Sequence, residues 1–364
     1  MSLALYRKYR PKQLKDLIGQ ENLISTLKKA ASLGKVFHGL IFFGPKGTGK
    51  TTTARIYAKL INCENQTFVK TNGEPCAECP SCLTIDSQKT MDIVEIDAAS
   101  NRGIDEIRSL KEQVRQAPGS LKYKVFIIDE AHMLTKEAWN ALLKLLEEPP
   151  EHAVFILATT EQEKIPGTIL SRAQKFNLKK LTQTEIIQKL KFIRAAENLS
   201  VSDELLNLIA SRADGGLRDA ETLLDQLISF AGDLDLDTAE KIIGKTSFKK
   251  IYSFAESLIE KNSPAAIIQL KELTNLGADL PDLNKSLIFY LTDLLTIHLN
   301  PKEDSLIKDK YTDEQLAQTK TLATKINIDS TIKTIKKFIE SYEHIKYTPF
   351  GEVVLEVAII ESTK

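Results

Sequence analysis

At 364 residues the chain is long enough for two or three domains, and its 42% hydrophobic and 27% charged content is that of an ordinary soluble globular protein. No apolar run approaches the roughly 18 residues of a membrane span, and the start, MSLALYRKYRPKQ, lacks a signal peptide's apolar region, so no membrane contact and a cytoplasmic location are expected. The formal net charge of zero hides a division: residues 1–180 hold 27 basic and 20 acidic side chains, and residues 181–364 hold 22 and 29. Such asymmetry hints that the first half meets a polyanion while the second meets protein.

The first half alternates strand-like and helix-like segments. Apolar runs at His38–Phe43, Asp92–Ile96, Tyr123–Ile128 and Ala153–Ala158, with a shorter one at Gln174–Leu178, read as buried strands. Between them lie helical patterns over Glu21–Leu33, Gly49–Asn62, Ile104–Gln116 and Lys136–Glu147, the last stopped by Pro149-Pro150. Alternation of this kind predicts a parallel sheet with helices on both faces. From Thr182 the strand signal fades. Thr182-x-x-Glu185 is a full capping box, Ser202 opens a further helix, and Asp214-Gly215-Gly216 breaks two helices apart. The fold class is therefore α/β followed by all-α. Three domains are expected: 1–180, 181–243 and 244–364. In the last, Leu283, Leu287, Ile288, Leu291, Leu294 and Leu295 recur at helical spacing.

Gly44-Pro45-Lys46-Gly47-Thr48-Gly49-Lys50-Thr51 satisfies G-x-x-x-x-G-K-[ST], follows a strand and opens a helix. Glycines let backbone N–H groups close around phosphate oxygens, and the helix N-terminus favours negative charge. Lys50 is expected to reach the β- and γ-phosphates and Thr51 to ligate Mg²⁺, with Thr52 also at the nucleotide. The apolar strand ending in Asp129-Glu130 supplies the matching carboxylates: Asp129 for the hydrated metal, Glu130 to polarise the attacking water. The plainer alternative is a pair of strand-end acids capping the next helix. Asp129-Glu130-Ala131-His132 also spells a helicase tetrapeptide, but no second ATPase domain follows; His132 is read as structural or as linking the loop to DNA.

All four cysteines fall within twenty residues, as Cys63, Cys76, Cys79 and Cys82. In a reducing compartment such clustering favours metal ligation over disulfides. Four thiolates suit tetrahedral Zn²⁺, and a site with no open position is structural.

These motifs resemble AAA+ ATPases and, within them, the gamma/tau family of bacterial DNA polymerase III clamp-loader subunits. The resemblance rests on Tyr9-Arg10-Pro11, Ile18-Gly19-Gln20-Glu21, the phosphate loop, the four cysteines and Glu95–Ser100. It continues through Asp129–Leu134, Asn140–Pro150, Ala158-Thr159-Thr160, Ser171-Arg172 and Gly216–Ala220. It covers residues 1 to about 243 specifically, and beyond that only as a helical domain of fitting length. It implies an ATPase core with a zinc-knuckle insertion, a helical lid and a helical collar that oligomerises. It further implies that Thr160, rather than Thr159, senses the γ-phosphate. Arg172 matches the arginine finger that reaches a neighbouring subunit's ATP, and Arg218 the sensor touching its own nucleotide. The N-terminal segment through Ile18-Gly19 resembles the adenine pocket, with Ile18 and Gly19 as its named residues. The family's cysteine after the finger is Ala173 here, a small residue that leaves the guanidinium in place.

The implied function is ATP-driven loading of a ring-shaped sliding clamp onto primed DNA, as an enzyme within the DNA polymerase III holoenzyme. The partners would be other loader subunits (a pentamer), the clamp, primed DNA without sequence preference, and the polymerase core. Ser100, Asn101, Arg102 and Arg108, around the start of the helix after the second strand, are the candidate DNA contacts. Two alternatives are weighed. A non-hydrolysing scaffold subunit would lose the phosphate-loop lysine or the Asp-Glu pair, both present here. A hexameric AAA+ DNA motor would carry a winged helix after the lid, where this chain reads as helical.

Overall fold

A computed structural model describes residues 3–101, 104–229, 236–243, 246–301, 307, 310–311 and 313–364. The chain divides into two compact units, Met1–Leu181 with Gly215–Glu221, and Thr182–Asp214 with Thr222–Lys364.

The first unit is built on a parallel sheet of strands β1 (Gly39–Phe43), β2 (Ile93–Asp97), β3 (Lys124–Asp129), β4 (Ala153–Thr159) and β5 (Gln174–Asn177), in the order β2-β3-β4-β1-β5. Around it lie helices α1 (Leu5–Lys8), α2 (Glu21–Ser32), α3 (Lys50–Asn62), α4 (Gln66–Asn72), α5 (Pro80–Asp86), α6 (Ile104–Arg115), α7 (Lys136–Glu147) and α8 (Gly167–Leu170). All seven residues of β4 are buried. Because side chains alternate across a strand, the central strands β1, β3 and β4 each feed two cores. Leu40, Phe42, Val125, Ile127, Val154 and Ile156 face one cluster with Leu27 of α2 and Tyr57 of α3. Ile41, Phe43, Phe126, Ile128, Phe155 and Leu157 face the other with Leu110 of α6 and Leu142 of α7. Both faces are covered, as the alternating sequence predicts.

The predicted strands and helices stand within one residue at nearly every boundary. β2 and β3 each run one residue further, because Asp97 and Asp129 are still paired across the sheet. The sequence reading left the cysteine insertion without elements, whereas it holds α4 and α5. Each is only seven residues long, too short for a periodic signal. Their ends are nonetheless marked: Asn65 accepts from the Phe68 N–H, Gly73 ends α4 at φ +65°, and Pro80 opens α5.

The regular elements described in the second unit are all helices: α9 (Gln183–Ala196), α10 (Asp203–Arg212), the distal part of α11 (Leu217–Ser229), α12 (Leu236–Ile243), α13 (Phe248–Ile259), α14 (Ser263–Asn275), α15 (Leu280–Leu299), α16 (Asp313–Ala323), α17 (Ile328–Tyr347) and α18 (Gly351–Thr363). Thr182 and Glu185 form the predicted reciprocal cap, and Ser202 accepts from the Leu205 N–H. Helix α15 is the hub of the larger core. Its Leu283, Leu287, Leu291 and Leu294 are buried against Phe254, Leu270, Phe338 and Leu355, while Ile288 and Leu295 pack at the edge. Among the described residues no helix is long and apolar enough to cross a membrane.

Candidate functional site

The loop between β1 and α3 owes its shape to three glycines at positive φ, Gly44 (+152°), Gly47 (+78°) and Gly49 (+99°). At Gly44 a Cβ would also lie 2.5 Å from the Leu178 carbonyl oxygen, so no other residue fits without moving the chain beyond β5. Lys50, the first residue of α3, is 6% exposed. Its Nζ donates to the carbonyl oxygens of Gly44 (2.8 Å) and Pro45 (2.9 Å). Burial pushes the Lys50 ammonium below its usual pKa, while the Glu130 and Asp129 carboxylates work in the opposite sense. The Thr51 hydroxyl donates to Asp129 Oδ2 at 2.7 Å, tying the phosphate loop to the end of β3.

Glu130 sits at φ +47°, a left-handed conformation uncommon for a non-glycine residue. It turns the carboxylate away from the strand, and Thr160 Oγ1 donates to its Oε2 at 3.4 Å. Thr159 is fully buried, with its hydroxyl on His132 Nδ1 at 2.9 Å. His132 Nε2 lies 3.1 Å from Glu161, so its ring braces the ends of β3 and β4. Of the two adjacent threonines, only Thr160 hydrogen-bonds the Glu130 side chain.

One cleft gathers Ile18, Lys46, Gly47, Thr48, Gly49, Lys50, Thr51, Thr52, Asp129, Glu130 and Arg218. Gly44 and Pro45 stand just behind it, holding Lys50, and Gly19 (φ +69°) follows Ile18. From the N-terminal segment Tyr6, Arg10, Pro11 and Leu17 line the cleft with Ile18, and so do Leu181, Leu217 and Glu221, which were not among the expected site residues. Tyr6 lies under the Arg218 guanidinium, 4.9 Å from ring centroid to Cζ. A hydrogen bond from Arg7, and further the charge of Arg218, hold the Tyr6 phenol below its usual pKa. Leu181 and Leu217 carry no local sequence signal; the Leu181 N–H bonds the Gly215 carbonyl at 3.2 Å, which folds the start of α11 back onto the cleft.

Arg172 is not part of this cleft. It follows α8, donates to the Thr168 carbonyl (2.8 Å) and pairs with Glu147 (2.8 Å), with 36% of its side chain exposed. Of the candidate DNA contacts, Ser100 and Asn101 hydrogen-bond Asp97 at the end of β2, at 3.0 and 3.1 Å. Arg102 lies outside the described residues; Arg108 is in α6 and its side chain lies outside them.

The four cysteines converge. Cys63 caps the end of α3, Cys76 and Cys79 precede α5, and Cys82 lies within it. Their Sγ atoms all lie within 4.8 Å of one another, and Cys76 and Cys82 are 4.0 Å apart. Tetrahedral ligation at about 2.3 Å per bond requires sulfurs about 3.8 Å apart, so the donor set fits Zn²⁺ with little adjustment. None is in a disulfide. Burial raises the Cys63 and Cys82 thiols. At Cys76 burial is outweighed by the N–H groups of Glu78 and Cys79, which bring that thiol down to about 7.

Comparison with known proteins adds two family matches and close relatives. Residues 19–182 match the family model described as DNA polymerase III, delta subunit. Residues 185–233 match that of the DNA polymerase III clamp loader subunit, ATPase lid domain. The chain is 43% identical over 98% of its length to DNA polymerase III subunit tau of Bacillus subtilis, of which it covers 62%. It is 37% identical over 82% of its length to the Escherichia coli tau subunit, covering 46% of that protein. It is 30% identical over 98% of its length to DNA polymerase III subunit gamma of Buchnera aphidicola, covering 97% of it. The chain thus spans about half to three-fifths of the tau relatives and nearly all of the gamma relative.

Proposed function

The chain belongs to the gamma/tau family of DNA polymerase III subunits, and from that premise we propose that it is an ATP-hydrolysing motor subunit of a clamp loader. It would use ATP to open a ring-shaped sliding clamp and load it onto primed DNA. In this reading residues 1–180 are the ATPase core, 181–243 the lid and 244–364 the collar through which it joins other loader subunits, in a cytoplasmic hetero-oligomer of five. Contact with the polymerase core belongs to the same reading.

The supporting observation is a single cleft lined by Lys50, Thr51, Asp129, Glu130 and Arg218. A triphosphate entering it would take over the Lys50 ammonium from the Gly44 and Pro45 carbonyls and relieve the cost of its burial. Thr51 and Asp129 are the residues that would hold Mg²⁺, which when bound offsets the triphosphate's negative charge. Glu130 would accept a proton from the attacking water, and Thr160, bonded to Glu130, would report on the γ-phosphate. Arg218 would touch the nucleotide of its own subunit. Arg172 stands outside its own cleft and would serve a neighbour's nucleotide, which would make hydrolysis depend on assembly. Zn²⁺ would be held by Cys63, Cys76, Cys79 and Cys82 in a structural role. Ser100, Asn101, Arg102 and Arg108 would meet DNA phosphates.

Nucleotide titration tests this directly. The unaltered chain should bind Mg-ATP. Lys50→Ala should lose about 10- to 100-fold in affinity, the range expected for removing charge-assisted hydrogen bonds. Glu130→Gln should bind ATP like the unaltered chain yet fail to hydrolyse it in the assembled loader. Equal affinity of the Lys50→Ala variant would overturn the assignment.

A further inference from the structure

The cysteine insertion does more than fold on itself. Between α4 and Cys76 the chain runs Gly73-Glu74-Pro75, of which Glu74 and Pro75 are bonded to the N-terminal region and Gly73 lies close against it. The Glu74 carboxylate, 4% exposed as a residue, accepts the backbone N–H of Leu14 (2.7 Å) and of Lys15 (2.8 Å) and pairs with Lys28 of α2 (2.8 Å). Leu14 and Lys15 open a 3₁₀ turn, Leu14–Asp16. The N–H groups at the start of such a turn have no partner within it, so a carboxylate brought from sixty residues away satisfies them. Gln13 Nε2 donates to the Pro75 carbonyl at 2.8 Å. Gly73, at φ +65°, lies so close to α2 that a Cβ would fall 2.8 Å from Lys28 Cβ.

The same segment continues into the cleft. Leu17 and Ile18 follow the 3₁₀ turn directly and line the cleft with Pro11, Leu181 and Leu217, its aliphatic side chains. The phosphate loop and the carboxylates supply its charged part, so these apolar residues are where a base would rest. Leu14 and Leu17 also share one buried cluster with Val69, Cys63 and Cys82 of the insertion. Polar staples and apolar packing therefore both join the cysteine module to the wall that receives the base.

We propose that the cysteine insertion holds the base-side wall of the nucleotide cleft in place, with Glu74 as the positioning residue. This rests on the reading of the cleft as the nucleotide site. The insertion's architecture then sets nucleotide affinity, while Asp129, Glu130 and Thr160, at the ends of β3 and β4, are bonded to neither Glu74 nor Gln13. Loss of Glu74 leaves the buried Leu14 N–H and the Lys28 ammonium unmatched and frees residues 13–18 to shift.

The test pairs Glu74→Ala with Gln13→Ala, which removes the link to Pro75 and the Gln13 side chain's part in capping the 3₁₀ turn, and leaves the core intact. Affinity is read with a fluorescent ATP analogue and Mg²⁺, and hydrolysis at saturating ATP in the assembled loader. Expected are about tenfold weaker binding for Glu74→Ala and about threefold for Gln13→Ala, each with an unchanged saturating rate. If Glu74→Ala fails to fold, Gln13→Ala alone decides. Affinities within experimental error of the unaltered chain, or a fall in saturating rate without a change in affinity, would overturn the proposal. If the unaltered chain itself binds no nucleotide while folded, the site reading fails first, and this inference with it.

Discussion

Asp92 shows how much one carboxylate can organise in this chain. It is 3% exposed and accepts the N–H groups of Gly119 (2.8 Å), Ser120 (2.8 Å) and Leu121 (2.9 Å), so it pins the turn between α6 and β3 beside the start of β2. Burial alone would raise its pKa, but the three N–H groups and the Ser120 hydroxyl outweigh burial and hold it below the ordinary carboxylate value. A carboxyl depressed in the folded state lends stability that is whole above its unfolded pKa, about 3.9, and vanishes as pH falls through the lower folded value. Asp92→Asn should therefore cost about 1–3 kcal/mol at neutral pH, measured by urea unfolding. That difference should shrink as pH drops below about 4. A difference that stays constant down to pH 2 would contradict this account. Lys50 illustrates the opposite case: burial disfavours its charged form, and on the proposed reading a bound phosphate would offset that cost.

At the scale of elements, the cysteine insertion is the segment whose role its own sequence states least. Four cysteines signal a metal site plainly, and their convergence within 4.8 Å follows from Cys63 at the end of α3 meeting two short loops at α5. Removing one of the four donors should leave three thiolates and an open position. Cys82→Ala is expected to reduce bound zinc from about one per chain to well below half, and to make α4 and α5 sensitive to proteolysis. Metal analysis of the unaltered chain showing well under one zinc would contradict the ligand set. What the local sequence could not convey is where the insertion attaches. Glu74 reads as an ordinary acidic loop residue, and only the fold brings it to Leu14 and Lys15. The sheet was far more legible, because strands buried on both faces give continuous apolar runs, and the phosphate loop carries its own glycine signature. Likewise Thr182 and Ser202 announce helix starts through chemistry that acts over three residues. Tyr6, Leu181 and Glu221 reach the cleft through tertiary folding, which no local pattern encodes.

For the whole molecule, the charge division acquires a physical reading. The positive excess lies in residues 1–180, which hold the phosphate loop and the candidate DNA contacts, and the negative excess lies in the helical remainder. On the proposed reading, in which Arg172 is the finger for a neighbour's nucleotide, the chain should be nearly idle alone and active when assembled. Arg172 is held by Glu147 and Thr168 in its own chain, and on that reading assembly would exchange this pairing for a neighbour's phosphates. The most direct test is steady-state ATP hydrolysis by the chain joined with the other loader subunits, measured with and without sliding clamp and primed DNA. The account predicts strong stimulation by clamp and DNA together, and a fall of roughly 10³-fold when Arg172→Ala replaces the finger throughout the assembly. Hydrolysis that proceeds equally in the isolated chain, or that is indifferent to clamp, DNA and Arg172, would contradict it.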